Sequence, residues 1–571
     1  MRAQFSEFAA RVYPCVGSSQ LRSTERPDDH TLHVSMKRNR GKVLQAEICV
    51  LGLKQSLGIG LKMEEFVSGK RKLQVGIAVM ALLLGARLPL AAQSSSSHPG
   101  ARPAGQSTGT RAPQAPAVNI TSPSPIGDTT ALAKEAQGWL IDLIRTNTTN
   151  PPGNEQAIAK YLVHVLEKEG IQSEMLDLAP GRSALVARLR SSAVADPSKA
   201  LLLVAHMDVV GVDRSKWTVD PFAAVIKDGY LYGRGSIDDK GMLAANLAAF
   251  IALKRSNAHL NRDVIFLATA DEEQGGDASI KMLISKYWDK FAAGYALNEG
   301  GEVFMKNGRV QYVAVQASEK VAMNVMVVAR GTSGHASRPT IDNAVVHLAA
   351  AVTKIGGYSA PVHFTTIVRR YFEQLAPIQP DELGKWMRVL ESEDRGEHAQ
   401  KVVSEASPLW NSMMRDTVAP TMLSAGVRNN VIPAEARANL NIRLLPGNTI
   451  NVLAAALNKL VNDPQIKFEI QPDAGLAAPP SSLESDFYAT ISKVATAQFG
   501  NAPVLPFQST GATDSAQLRL HNVQAYGLVP FPLTEEDYLR VHGDDERLPL
   551  ASFTKGADVL ARIVAEFAAS K

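Results

Sequence analysis

Leu201-Leu-Leu-Val-Ala-His206-Met-Asp208 and, about sixty residues later, Val264-Ile-Phe-Leu-Ala-Thr-Ala-Asp271-Glu272-Glu273 decide how this chain is read. Each is an apolar run of the kind that forms a buried parallel strand, and each stops abruptly at side chains that bind metals or move protons. Open α/β sheets bind their ligands at the carboxyl ends of the strands, so the two endings are expected to face one crevice.

Between them lies Gly233-Arg-Gly-Ser-Ile-Asp238-Asp239-Lys-Gly241, whose glycines allow close backbone approach and whose two carboxylates are adjacent. Downstream stand Leu297-Asn298-Glu299-Gly300-Gly301 and Val541-His542-Gly-Asp-Asp-Glu546-Arg547. Two histidines and several carboxylates, with no thiolate, form a donor set for zinc, cobalt or manganese. This points to a metal-dependent hydrolase. Asp208, two residues after His206, is suited to hold the ring nitrogen that the metal does not use. Adjacent residues of an extended segment point opposite ways, so Asp238 and Asp239 need different roles.

His206-Met-Asp208, Trp217 with Asp220-Pro221-Phe222, Gly233-Arg-Gly-Ser-Ile-Asp238, Asp271-Glu272-Glu273, Glu299-Gly300-Gly301, Asn430-Val-Ile-Pro433 and His542 with Asp545-Glu546-Arg547 follow the order of one family. From about residue 131 to about 568 the chain resembles the co-catalytic zinc peptidases that include aminoacylase, glutamate carboxypeptidase, carnosine dipeptidases and succinyl-diaminopimelate desuccinylase. The resemblance implies two divalent metal ions, zinc first, with cobalt or manganese as alternatives. His206, Asp238 and Glu299 would hold one, and His542, Asp238 and Glu273 the other, with Asp238 shared between them. Glu272 falls on the general base that moves a proton from a metal-activated water to the leaving amine, and Asp208 stands behind His206. His335, in Gly331-Thr-Ser-Gly-His335, resembles the histidine that meets the oxyanion, often in a neighbouring subunit's site. Asn430, Arg443 and the loop at Gly511 match substrate-binding positions, and a guanidinium fork is a natural carboxylate clamp. Two departures stand out: Asn298 replaces a common Asp, and Ala516 replaces a common Arg, which removes any specificity inferred from that arginine. Asp545, Glu546 and Arg547 are expected to brace the ligand loop through ion pairing.

The 571 residues, 45% hydrophobic, suffice for two or three domains with real cores. The net charge of +4 is local: residues 1–92 hold 14 Lys and Arg against 7 Asp and Glu, so the remainder is acidic and nothing argues for nucleic acid. Lys70-Arg71-Lys72, the apolar run 73–84 and the small residues to Ala92 describe a secretory leader over 63–92, with cleavage near Ala92 and a periplasmic or secreted product. The apolar run is shorter than the roughly 20 residues a membrane span needs. Residues 1–62 show no sustained periodicity and are read as an extension upstream of a true start at Met63. Both cysteines, Cys15 and Cys49, lie in it. Residues 93–126, rich in Ser, Pro, Gly, Ala and Thr, read as a flexible tether.

Beyond the tether, strand-like runs at 184–189, 201–205, 264–268 and 294–297 alternate with helical ones at 131–147, 155–169, 242–255 and 279–287. The fold class is α/β, a mixed, mostly parallel sheet flanked by helices. Around Val321 the pattern changes: an alternating run at 321–329, a helix at 343–355, a strand at 440–444, a helix near 450–460 and a strand at 466–470 compose a smaller inserted α+β domain. The resemblance identifies it as a lid or dimerisation domain. The intervals are 127–318 for the first catalytic part, 319–474 for the lid and 475–571 for the second catalytic part, with 378–416 an insertion of open role.

The expected activity is cleavage of short peptides with a free C-terminal carboxylate, in the manner of a carboxypeptidase or dipeptidase, and the assembly the resemblance suggests is a homodimer joined through the lid. An aminoacylase acting on N-acyl amino acids is the alternative within hydrolases. A binding protein on a dead scaffold is the alternative class, and loss of the base or a ligand would be its signature; neither is lost. Beyond the tether, the folded region has no Gly-x-Ser-x-Gly elbow of the kind a serine hydrolase needs.

Overall fold

The computed structural model describes residues 126–127, 129–194, 196–470 and 477–570, and nearer the N-terminus the backbone of three strands, Leu32–Asn39, Val43–Val50 and Leu57–Lys62. Those three pair as an antiparallel sheet in a stretch where the sequence shows no periodicity. The leader at 63–92, the tether at 93–125 and both cysteine side chains lie outside the described residues. Among the described residues no helix is long and apolar enough to cross a membrane.

The remainder is built on a ten-stranded mixed sheet. At its centre Gln524–Gly527, Tyr295–Asn298, Leu201–His206 and Val264–Thr269 run parallel. Arg182–Leu189 and Ser173–Ala179 extend one side in antiparallel fashion. Arg309–Glu319 leads the other side, flanked by Glu302–Lys306 and Val504–Ser509. Every residue of Leu201–His206 and Val264–Thr269 is buried, as expected for strands covered on both faces. Helix Lys240–Arg255 is buried from Lys240 through Leu253, and its alanines let it lie between the sheet and the helices Thr130–Arg145 and Leu550–Ala569. Each fully buried Leu in this layer contributes roughly 1.5–3 kcal/mol.

The lid is an antiparallel sheet in the order Thr417–Ala425, Glu435–Leu444, Val321–Arg330, Ile466–Ile470. Helices Ala344–Gly356 and Ile450–Val461 cover one face. Glu435–Leu444 alternates strictly: Ala436, Ala438, Leu440, Ile442 and Leu444 enter the lid core, which puts Arg437, Asn439, Asn441 and Arg443 on the opposite face.

The interval 319–474 is two packing units. Helices Thr366–Leu375, Asp381–Met387, Gly396–Ala406 and Pro408–Met413 place Val368, Tyr371, Phe372, Leu375 and Met413 against Tyr312, Ala314, Leu505 and Phe507. The stretch 378–416 is therefore part of a helical layer on the catalytic sheet. Its charged composition conceals an apolar face that serves a strand pair lying on either side of it in sequence.

Candidate metal centre

Parallel register aligns the strand ends. His206 stands opposite Thr269, so Asp208 and Asp271-Glu272-Glu273 leave the sheet at the same edge. Tyr295–Asn298, parallel on the other side of Leu201–His206, delivers Glu299 there too. The turn after Glu299 needs glycine: Gly300 has φ 99°, and a Cβ there would run into the Gln316 side chain.

Asp238 lies between the two histidines. Its Oδ1 is 3.0 Å from His206 Nε2 and its Oδ2 is 3.1 Å from His542 Nε2. Glu273 Oε2 is 3.2 Å from the same His542 nitrogen, and Glu299 Oε1 is 3.8 Å from His206 Nε2. Ligand atoms about 2.0–2.1 Å from one tetrahedral ion lie about 3.3 Å apart, so these spacings suit a cation on each side of Asp238. Glu273 Oε1 is buried without a hydrogen-bond partner among the described residues, an orphan of the kind a cation would satisfy. His206, Asp238 and Glu273 form one set able to hold an ion; His206, Asp239 and Glu299 form another. Asp239 is also turned to the backbone, its Oδ2 accepting from the His206 amide at 3.1 Å.

The electrostatics suit cations. Burial pushes the Glu299 carboxyl up to about 7, with Asp238 adding to the effect. Burial likewise raises Asp514 to about 7, helped by Glu299 and Asp208, and raises Glu272 well above the carboxylate range, with Glu299 beside it. Asp238 has the opposite fate: burial opposes its charge, but the two imidazoles outweigh burial and hold it below the usual range. His542 is pushed up to about 10 by Asp238 and Glu273. His206 rises too, its carboxylate neighbours outweighing its burial. Carboxylates this crowded cannot all ionise without positive charge among them.

Asp208 differs in detail from the expected arrangement. His206 Nδ1 is 3.0 Å from the backbone carbonyl of Asp208 and 3.6 Å from its carboxylate. The carboxylate instead accepts from the amides of Glu272 and Glu273, each at 3.2 Å, and so fixes the turn that carries those two carboxylates. Asn150 Nδ2 donates to Asp208 at 2.8 Å and to Asp271 at 3.0 Å. Asp271, at φ 61°, also accepts from Arg182 at 2.8 Å, and Arg182 is paired with buried Glu155. Asn150, Arg182 and Glu155 were not singled out in the sequence. Asn150 precedes Pro-Pro-Gly, which reads there only as a helix stop.

Glu546 braces the centre. Its carboxylate accepts from Arg234 at 2.6 Å and from the amides of Gly235, Ile237 and Asp238 at 2.9, 2.8 and 3.2 Å. Arg234 also donates to the Gly543 carbonyl at 2.7 Å, joining the Asp238 loop to the His542 loop. Asp545 accepts from the Thr218 amide, and Arg547 pairs with Glu536 and Asp537 rather than with a ligand loop. Asn298 Nδ2 donates to Ser515 Oγ at 3.1 Å.

The lid residues are less concentrated. Arg443 is half-buried, bonded to Asn441 at 3.1 Å, and faces the charge of Glu272. His335 is exposed in a two-stranded ribbon, Gly334–His335 against Val431–Ile432, and its ring bonds only to Ser337. Asn430, also exposed, is tied to the same ribbon through its carbonyl and the Ala336 amide. The structure thus groups His335 with Asn430. Gly511 donates its amide to Ser509 Oγ at 3.0 Å.

Residues 202–566 match the model of Peptidase family M20/M25/M40. The chain is 30% identical over 368 residues to the human N-fatty-acyl-amino acid synthase/hydrolase PM20D1, covering 63% of this chain and 72% of that protein. It is 28% identical to a probable carboxypeptidase S-like 2 of Dictyostelium discoideum, covering 64% and 71%. Among solved structures, an M20 family metallo-carboxypeptidase from Sulfolobus solfataricus superposes with a TM-score of 0.59 at 22% identity, over 76% of this chain and 99% of that one.

Proposed function

This chain belongs to peptidase family M20/M25/M40 and is a metallohydrolase, and on that premise we propose that it hydrolyses the amide bond of short peptides bearing a free C-terminal carboxylate. The observation that carries this reading is Asp238, with one carboxylate oxygen toward each of His206 and His542 and the raised carboxyl of Glu272 within range of the same charges. Bound at the two faces of Asp238, divalent cations would polarise the amide carbonyl and bring the pKa of an attacking water down to about 7. Zinc is our first choice for both, from the nitrogen and oxygen donor set.

The protein's own residues do the rest. Glu272, whose buried carboxyl binds a proton readily, takes one from the attacking water and delivers it to the leaving nitrogen. Asp208 holds the Glu272 and Glu273 amides, so the base keeps its position as its charge changes. Arg443 clamps the substrate carboxylate. We assign His335 to the oxyanion in a neighbouring subunit's site, on its exposed position in a glycine-rich turn of the lid. The lid edge strand Thr417–Ala425, with exposed Met422 and Leu423, is our choice for the homodimer contact.

An aminoacylase acting on N-acyl amino acids is the second reading, favoured by the name of the 30%-identical relative. We also propose export after cleavage near Ala92, supported by the basic and apolar segment there. The test is hydrolysis of a dipeptide and N-acetyl-amino-acid panel by the full chain, metal-stripped and then restored with zinc, cobalt or manganese. Metal-dependent cleavage of carboxylate-bearing amides is expected. Metal binding with no cleavage of any of them would move the weight to a dead scaffold.

A further inference from the structure

Before Ile470 the chain passes between the lid and the parts packed on the catalytic sheet at 319–321, at 356–366 and at 413–417. Lys320, in the first passage, joins strand Arg309–Glu319 of the catalytic sheet to strand Val321–Arg330 of the lid and is only 1% exposed. Its amide donates to the Ser509 carbonyl of the catalytic sheet at 3.0 Å. Its neighbour Glu319 binds on the catalytic side too, accepting from Thr513 Oγ1 at 2.9 Å and pairing with Arg519 at 2.7 Å. The Lys320 side chain instead reaches the third passage, where Nζ donates to the carbonyls of Ser412 and Arg415 at 3.1 and 2.9 Å and to Thr417 Oγ1 at 3.1 Å. An ammonium carries three N–H groups, and these three acceptors match them. Burial draws the Lys320 pKa down to about 7, with Asp416 opposing and Arg443 adding to the fall. A methionine would fill the same space without that desolvation cost. What the ammonium alone supplies is a fixed junction between the catalytic sheet, the end of the helical layer and the lid edge strand.

The third passage is itself anchored on both sides. Arg415 donates to the Ala360 carbonyl at 3.1 Å and to Ser404 Oγ at 3.2 Å, and the Met414 carbonyl accepts from the His363 amide at 2.8 Å, so the second passage and helix Gly396–Ala406 are tied in. Asp416 accepts from the Leu445 amide at 2.7 Å, just past strand Glu435–Leu444. The register of the lid sheet then brings Arg443 into the junction: its antiparallel partners are Thr417 on one side and Ala322 on the other. Thr417 receives the Lys320 side chain, and Ala322 is two residues beyond Lys320 in the chain. We propose that Lys320 is a positioning residue and the helical layer at 366–413 a strut, which together set the lid strands against the catalytic sheet and hold the Arg443 guanidinium in its place facing Glu272. The inference rests on Arg443 being the carboxylate clamp, and it gives the inserted stretch 378–416 a part in catalysis.

The experiment is a double-mutant cycle in the full chain with zinc, on Ala-Leu and N-acetyl-leucine. Lys320→Met and Arg443→Ala should each lower kcat/KM about tenfold or more, mostly through KM, because the cation cradle and Glu272 lie wholly on the catalytic part. The double variant should lose little more than Arg443→Ala alone, well short of the product of the two losses, as for groups that act through one another. If Lys320→Met does not fold, Thr417→Val deletes one acceptor at constant shape and should give a smaller loss of the same pattern. Additive losses, or a loss in kcat alone, would overturn the proposal. An Arg443→Ala variant with unchanged KM would remove the clamp and the proposal with it. A second readout needs no activity. Spin labels on Lys168→Cys, exposed at the end of helix Glu155–Lys168, and Val452→Cys, exposed on lid helix Ile450–Val461, with Cys15 and Cys49 replaced by Ser, report the lid's placement. Lys320→Met should broaden or shift the distance between the labels; an unchanged distribution would overturn the proposal whatever the kinetics. If the wild type cleaves neither substrate, the amide-hydrolase reading fails, and the label distances still decide whether Lys320 sets the lid.

Discussion

Replacing Glu546 by Gln keeps the side chain's shape and removes its charge. Glu546 is fully buried, and its carboxylate receives four donors, Arg234 and the amides of residues 235, 237 and 238. A Gln presents one oxygen where two are needed, and its NH2 faces donors. Arg234, only 2% exposed, is left without its counter-ion. Breaking a buried pair from one side costs about 3–5 kcal/mol. At about 2–4 °C per kcal/mol, the scale for domains of 150–250 residues, the metal-free protein should melt roughly 10 °C lower. The same loop carries Asp238, so cation affinity should fall about 10–100-fold, as when a ligand's supporting hydrogen bonds are removed. Scanning calorimetry of the stripped protein and calorimetric titration with zinc would measure the two effects. Unchanged melting together with unchanged affinity would refute the idea that Glu546 holds the Asp238 loop.

Glu272→Gln should retain cation binding while kcat falls at least 10²–10⁴-fold, the range of general acid–base contributions; equal activity in both proteins would sink the assigned base. In the stripped protein the raised pKa values of Glu299, Asp514, His206 and His542 all mean that the folded state holds protons the unfolded state releases. Stability is then present at the lower pH and lost as pH rises through the folded values, near 7 for the two carboxyls and near 10 for His542. Lys240 and Lys320, lowered to about 7 by burial, act oppositely above pH 7, so melting should rise from pH 7 to pH 5.5, by up to about 1.4 kcal/mol per pH unit per proton, and zinc should flatten the slope; a metal-free protein less stable at pH 5.5 than at pH 7 would contradict the geometry. Asn150→Ala removes one of two donors from Asp208 Oδ2 and from Asp271 Oδ1, which keep the Glu273 amide and Arg182, at about 1.5–3 kcal/mol for each bond to a charged group, and should lower kcat more than it raises KM because the Glu272–Glu273 turn loosens; a change in KM alone would argue against that.

What the sequence revealed follows from what each residue's signal is. His206, Asp238, Glu273, Glu299 and His542 sit at the ends of apolar runs or in glycine-rich turns, and local pattern exposes such positions. Asn150 and Arg182 act through partners 58 to 121 residues away and carry no pattern of their own. The helical layer at 366–413 was opaque for a related reason, since its apolar face is matched to Tyr312 and Phe507, which only the folded sheet brings together. His335 shows the limit in the other direction. A glycine-rich turn with a histidine looks functional, yet within one chain its ring bonds only to Ser337.

The clasp between Glu546 and the Asp238 amide spans 308 residues. A ribosome that has made the first half of this protein has made His206, Asp238, Glu272 and Glu273, but neither the second histidine nor the carboxylate that shapes the Asp238 loop. The loop that carries Asp238 therefore takes its shape only when synthesis is nearly over, long after the strand that carries His206 has been made.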